Sequence, residues 1–385
     1  MGSRTIDGSA APHDLLYQQC QGIGTCMPTQ DTSPPPRLLA LATAVPPHDL
    51  AQDAVADAAA AIFSGAGGGF ARLRPVYRHA KIDRRHACVP LDWFRRAHGP
   101  AERNRLFLDH AVALLAEAAA AALDRAGLAA SDIDTLVTVC SSGIATPGLD
   151  TRVMARLPFR PDVQRLPLFG LGCAGGVLGL ARAATLARAD PGSRVMLLAV
   201  ELCSLTFRPQ DQSPTNIVAT ALFGDGAAAA IVRCGDDPAI GDACPRLGPS
   251  GEHTWPETLD VMGWDVADDG LRVVFSRDIP VLVRDRLRPV VDGFLARHGV
   301  AWSDLDGFLC HPGGARVLEA MEDAFGLAPG RLSHARATLR DHGNMSSVTV
   351  LFVLRAALDA AVRGRHLMTA LGPGFTAAML LVDAG

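Results

Sequence analysis

An internal repeat limits what this chain can fold into. The segment Gly127–Asp134 (GLAASDID), leading into an apolar stretch, returns 172 residues later as Gly299–Asp306 (GVAWSDLD), again ahead of an apolar stretch. At a spacing of 171, Leu171-Gly172-Cys173-Ala174-Gly175 meets His342-Gly343-Asn344-Met345-Ser346, and Arg194 meets Arg365. Two copies of one α/β unit explain that regularity. Each copy offers a Gly-X turn into a central helix, with Cys in the first and Asn in the second. A pseudo-twofold arrangement would bring the two buried helices together with these turns close. The expected organisation is a flexible leader over 1–36, a first half over 37–240 carrying the Cys, and a second half over 241–385.

The stretch around Cys173 is readable by itself. An apolar run from Leu166 to Leu171 ends at Gly172, and small residues then open a helical pattern through Leu180, Ala184 and Leu186. A thiol at a strand-to-helix turn faces unpaired helix N–H groups and a positive dipole end, which favour thiolate. A small buried hydrophobe is the competing reading of any free cysteine. The repeat moves Cys173 toward the nucleophile, because its counterpart is a polar amide, Asn344.

The remaining chain reads as alternating strands and helices. Strands are expected over 37–45, 133–140, 193–201, 227–232 and 306–310, with a final pair flanking Gly372-Pro373-Gly374. Helices are expected from Asp49, a possible N-cap, to Phe63, then over 104–126 closed by Gly127, and over 278–298, 315–325 and 346–361. The stretch 65–69 reads as a loop and 238–269 as a loop-rich join. Arg72, Arg74, Arg78, His79, Lys81, Arg84 and Arg85 form a basic segment that is either a solvated face or a landing strip for a nucleotide-type phosphate.

Bulk properties exclude several classes. A length of 385 residues supports a large core, and a net charge of −4 gives no reason to expect nucleic acid as a partner. No uninterrupted apolar run reaches membrane-spanning length, and no secretory signal is visible. Nine cysteines without a Cys-x-x-Cys read as reduced thiols in a cytoplasmic protein with no metal site.

Three residues then suffice for a set of steps. A Cys173 thiolate takes up an acyl group from a thioester, with a His311 cation stabilising it. His311 follows a short strand and precedes Pro312-Gly313-Gly314, which opens backbone room beside it. If His311 and Asn344 aim donors at one oxygen, they hold the enolate left when a malonyl thioester loses CO₂. That carbon then attacks the acyl-cysteine.

The sequence resembles the type III polyketide synthases, chalcone synthase-like enzymes of the thiolase superfamily. Four segments carry the likeness: Gly172–Gly176 (GCAGG), Ala221–Ala227 (ALFGDGA), His311–Gly314 (HPGG) and Gly343–Ser347 (GNMSS). The resemblance spans roughly 37–382. It implies a thiolase-like duplicated αβαβα layered fold, a homodimer, and a Cys173–His311–Asn344 site fed by a CoA tunnel, with CoA thioesters as substrates and no cofactor. It also implies that Phe223 is a gatekeeper, that Thr206, Ala219 and Ser346 shape the cavity, that Thr146 reaches the neighbouring subunit's cavity, that Gly313 lies in the substrate site, and that Arg72 contacts CoA.

Two departures bear on the starter. Val273 stands where plant members carry a second gatekeeper Phe, and two plant CoA-binding positions fall on Pro75 and His79, so Arg74, Arg78 or Lys81 would supply the charge. Reduced bulk at Val273, Ala219 and Thr146 favours a long fatty acyl-CoA starter, extended with malonyl-CoA to an alkylpyrone or alkylresorcinol. The alternatives are a malonyl-CoA-only synthase of tetrahydroxynaphthalene or phloroglucinol, a ketoacyl synthase III-like enzyme, and an inactive thiolase-fold partner protein.

Overall fold

The computed structural model describes residues 34–63, 69–235 and 244–385. Its strands, in chain order, are β1 (Arg37–Ala44), β2 (His48–Ala51), β3 (Arg84–Ala87), β4 (Thr135–Cys140), β5 (Gln164–Phe169), β6 (Arg194–Leu202), β7 (Asp225–Arg233), β8 (Arg246–Thr254), β9 (Met262–Ala267), β10 (Gly270–Phe275), β11 (Gly307–Cys310), β12 (Gly364–Gly372) and β13 (Thr376–Ala384). Nine of them form one mixed sheet, in the order β11-β12-β13-β8-β1-β7-β6-β4-β5.

The repeat is visible in the pairing. β4 runs parallel to β6, and β6 antiparallel to β7. In the second copy β11 runs parallel to β12, and β12 antiparallel to β13. The repeated octets end preceding helices at Gly127 and Gly299, both at φ +64°, where a side chain would be strained. They then place one carboxylate alike. Asp134 accepts from the Arg194 N–H at 2.8 Å, and Asp306 accepts from the Arg365 N–H at 2.7 Å.

Strand alternation sorts the first half into layers. Met196, Leu198 and Val200 of β6, with Ala227, Ala229 and Ile231 of β7, pack toward the helix Pro100–Ala126. Val195, Leu197 and Ala199, with Ala228, Ala230 and Val232, face the opposite way, onto the helix Gly175–Ala189. That helix belongs to a central layer it shares with Thr349–Asp359. A strand covered on both faces needs apolar residues throughout, and β4 (TLVTVC) and β7 are of that kind. Helix Pro100–Ala126 is long and apolar enough to cross a membrane, but its composition reflects packing on β1, β6 and β7.

The two central helices meet as the repeat predicts. A Cβ on Gly176 would lie 2.1 Å from the Ser347 carbonyl oxygen, and one on Gly175 would lie 3.1 Å from the Ser347 Cβ. Close backbone approach is what these glycines supply.

Several expectations need correction. Asp49 caps no helix: His48–Ala51 pairs with β3, and the helix runs Gln52–Ile62. The supposed loop-rich join contains β8, which binds the halves of the sheet, and β9. Its first residues are masked from pattern reading by Gly and Pro, yet β8 finds partners in both β13 and β1. Helix Ser333–His342 was not anticipated, since its sequence is largely polar. Of the expected leader, 1–33 lie outside the described residues, as do 65–68 of the expected loop and the 240/241 boundary.

Gly176→Ala forces backbone apart and should cost about 1–3 kcal/mol in urea unfolding. Gly293→Ala, in the helix Ile279–Arg297 with nothing within 4 Å of the added carbon, should instead stabilise by about 0.4–1 kcal/mol. Equal effects at the two glycines would contradict this account of the central layer.

Candidate active site

Cys173 sits in a tight turn between β5 and its helix. Gly170 and Gly172 adopt φ +86° and +46°, and Gly172–Ala174 form one 3₁₀ turn. The Gly172 N–H donates to Ser141 Oγ at 3.0 Å. Gly372 packs so closely that a Cβ there would lie 2.7 Å from the Leu171 carbonyl oxygen. The Gly372-Pro373-Gly374 loop is thus the outer brace of the cysteine turn. The sulfur lies 3.8 Å from Ser346 Oγ.

Asn344 is held from several sides. Its Oδ1 accepts the Ser346 N–H at 2.8 Å, which turns the amide nitrogen the other way, to donate to the Gly313 carbonyl at 3.2 Å. An amide nitrogen has two protons, so one remains for a substrate oxygen. Ser346 has φ +49°, an uncommon conformation for a non-glycine residue, and strain of that kind gathers at functional sites. His311 follows β11, and its N–H donates to Thr369 O at 2.8 Å. Both ring nitrogens of His311 are buried without a hydrogen-bond partner among the described residues. Buried polar atoms are nearly always paired within a fold, so these two are poised for something else.

Burial sets the charge state. It pushes the Cys173 thiol up to about 12, against opposing hydrogen bonds from Ser346 and Asn344, and takes His311 down to about 3. The resting pair is therefore a neutral thiol and a neutral imidazole. Desolvation thus opposes the thiolate and the cation expected from the helix start. Glu201, fully buried, adds to this: it accepts from Ser141 N at 3.1 Å and Ser347 Oγ at 2.8 Å, and burial raises its carboxyl to about 7. Its place at the end of an apolar strand was a signal that sequence reading passed over.

Phe223 is tied to Asn344 through the backbone. The Asn344 N–H donates to Leu222 O at 2.8 Å, and the Gly224 N–H donates to Asn344 O at 3.0 Å. Gly224 allows the approach, since a Cβ there would lie 2.4 Å from His342 O. Arg85, 3% exposed, secures the same junction. It donates at 2.9 Å to the carbonyls of Thr220, Ala221 and Phe223, and also bonds Gln52. A cation at the carbonyl end of the helix Pro214–Leu222 complements that helix's dipole. Arg85 thus departs from the solvated face; the alternation of its strand (exposed Arg84, buried Arg85) marked it out.

Two cavities flank this junction. One takes Thr206, Ala219, Phe223 and Val273 into its wall. Opposite Val273, Trp264 pairs across the β9–β10 hairpin and tilts against Phe223, with ring centroids 6.0 Å apart. Trp264 thus packs on Phe223 without entering the cavity wall. The other is an open cleft of about 1430 Å³ that includes Gly313 and Arg72, joined by His79, Arg277 and Arg316. Arg74 instead pairs with Asp57 at 2.8 Å, and neither Arg78 nor Lys81 lines the cleft. Thr146 is exposed and lines neither space. Among the described residues, no group of His, Cys, Asp or Glu is placed to hold a metal.

Comparison with known proteins fits this geometry. Residues 96–238 match the family model for chalcone and stilbene synthases, N-terminal domain, and residues 248–384 match the C-terminal domain. The chain belongs to the chalcone and stilbene synthase family. A 1,3,6,8-tetrahydroxynaphthalene synthase of Streptomyces peucetius is 40% identical, over 89% of this chain and 92% of that one. Type III polyketide synthase B of Arabidopsis thaliana is 32% identical, over 70% and 71%. The crystal structure of 1,3,6,8-tetrahydroxynaphthalene synthase from Streptomyces coelicolor A3(2) superposes with a TM-score of 0.85 at 28% identity, covering 90% of this chain and 99% of that one. The protein is a type III polyketide synthase with the thiolase-like fold, a Claisen-condensing acyltransferase that works on CoA substrates.

The depressed basicity of His311 has a measurable sign. Below its ordinary value of 6.5 the unfolded chain binds a proton that the folded site refuses. Stability from this residue is complete above that pH and is lost progressively toward the folded value of about 3. At pH 5 the loss is about 2 kcal/mol. His311→Asn should remove that share from the difference between urea unfolding at pH 7 and pH 5. An unchanged difference would show that His311 titrates freely in the folded protein.

Proposed function

We propose that this type III polyketide synthase primes Cys173 with a long-chain fatty acyl-CoA, extends it with malonyl-CoA, and closes the product to an alkylpyrone or alkylresorcinol. The observation that carries this reading is the largely apolar wall of the cavity beside Phe223. The protons of its hydroxyl and carboxamide side chains are already committed: Thr206 Oγ1 donates to Cys203 O at 2.7 Å, Thr220 Oγ1 to Ile217 O at 2.7 Å, and Asn216 Nδ2 to Arg208 O and Asp211 O at 2.9 and 2.8 Å. Ser204 donates to Asp225 at 2.5 Å. A chain of alternating ketones needs a donor for each oxygen, and the hydroxyl and amide groups of this wall have spent theirs, leaving the Arg85 Nε–H; an alkyl chain needs none. Each buried methylene contributes about 0.8 kcal/mol.

The steps follow from the site. As Cys173 attacks the starter thioester, its proton passes to the unpartnered His311 nitrogen and then to the departing CoA sulfur. The thiol at about 12 requires such a transfer, since little thiolate stands ready. Malonyl-CoA next loses CO₂, and the enolate oxygen receives the free proton of the Asn344 amide and a His311 N–H. A neutral imidazole suffices as that donor. The enolate carbon attacks the acyl-cysteine carbonyl, a C–C bond forms, and the C–S bond to Cys173 breaks. Gly313, Ser346 and the gatekeeper Phe223 hold the reacting groups in register. Arg72, His79, Arg277 and Arg316 give the cleft the positive charge that CoA phosphates require.

No cofactor enters these steps. The enzyme is placed in the cytoplasm, in keeping with seven free cysteines among the described residues. We place it as a homodimer, with Thr146 meeting the partner. The exposed Ile144 and Phe169, the latter at the end of edge strand β5, support a second copy there.

Malonyl-CoA supplied alone and with hexanoyl-, dodecanoyl- and hexadecanoyl-CoA tests the starter. Products carrying the intact long chain are expected, and Ala219→Phe should shift them toward short starters. Tetrahydroxynaphthalene from malonyl-CoA alone, with no acyl chain retained in any product, would establish the malonyl-only reading that the Streptomyces relatives suggest.

A further inference from the structure

We infer that one face of the helix Gln52–Ile62 is the ruler that sets starter length. This inference rests on the long-chain reading above and assigns the residues that measure the chain. The helix begins beside the gate: Gln52 Nε2 donates to Ala221 O at 3.1 Å, and Gln52 bonds Arg85, which holds the Phe223 carbonyl. From there the helix leads away from the Phe223–Asn344 junction, and the cavity follows it. Val55, Ala58, Ala59 and Ile62 all line the cavity.

Their spacing is i, i+3, i+4, i+7, a single stripe on one helix face. At 1.5 Å per residue they stand about 4.5, 9, 10 and 15 Å along the axis from Gln52. The stripe is graded as well as continuous. Two alanines leave the middle of the path open, and the first larger side chain beyond them is Ile62. An acyl chain anchored at Cys173 and passing Phe223 therefore runs along small side chains until Ile62 narrows the path. Leu91 and Phe94 complete the wall beside this helix.

The test is positional. Val55→Phe, Ala58→Phe and Ile62→Ala are compared with the wild type for kcat/KM on hexanoyl-, dodecanoyl- and hexadecanoyl-CoA, each with malonyl-CoA. The readout is the ratio between starters within one preparation, which a loss of folded protein does not move. Val55→Phe should lower both long-to-hexanoyl ratios, by roughly tenfold for every two methylenes denied a place. Ala58→Phe should lower the hexadecanoyl ratio more than the dodecanoyl ratio. Ile62→Ala should raise the hexadecanoyl ratio. Ratios that stay at wild-type values, or that shift equally regardless of position, overturn the ruler. Rejection of both long starters by the wild type overturns the long-chain reading itself, and the ruler with it.

Discussion

Everything at this site hangs on a short backbone pairing. Leu222 and Gly224 hydrogen-bond Asn344 on either side of Phe223, so Phe223 and Asn344 cannot move independently. Phe223 belongs to the first repeat and Asn344 to the second. The pairing thus joins the two copies where their chemistry differs. Two glycines permit it: Gly224 packs onto the His342 carbonyl, and Gly343, at φ +69°, packs onto that of Leu222. Arg85 then fixes the Phe223 carbonyl from behind, a buried cation satisfied by carbonyl oxygens rather than by a carboxylate.

Desolvation is the second organising effect. The same enclosure that brings Cys173, Asn344 and Ser346 together raises the thiol and lowers the imidazole. Both shifts favour the neutral forms, and both imidazole nitrogens stay without a partner among the described residues. Glu201, behind the site and titrating near 7, completes a polar network through Ser141 and Ser347 that joins both Gly-X turns. Charge here is stored as hydrogen-bonding capacity, and it separates only when a substrate is bound.

Much of this was legible from the chain alone, for identifiable reasons. The repeat showed because the octets serve one geometric task, ending a helix at a left-handed glycine and pinning the next strand by an aspartate. The candidates Cys173, His311 and Asn344 stand out in sequence because each sits at a motif turn. The charge state was not legible, since it depends on burial from elements remote in sequence. Arg85 was hidden in a basic run where its neighbours are exposed, and only strand pairing separates it from them. Trp264 lay in a stretch rich in Gly and Pro whose hairpin pairing no periodicity announces, so its place opposite Val273 went uncounted. The cavity's depth required the helix face at Val55–Ile62, which as sequence is an ordinary alanine-rich helix.

The central proposal is that an apolar chain, not a polyketide oxygen array, fills the cavity beside Phe223. Intact-protein mass spectrometry after brief exposure to dodecanoyl-CoA, without malonyl-CoA, reads this directly. The account predicts a dodecanoyl adduct that maps to Cys173 and is absent from Cys173→Ala. No adduct from dodecanoyl-CoA, alongside ready labelling of the same cysteine by malonyl-CoA, would contradict it.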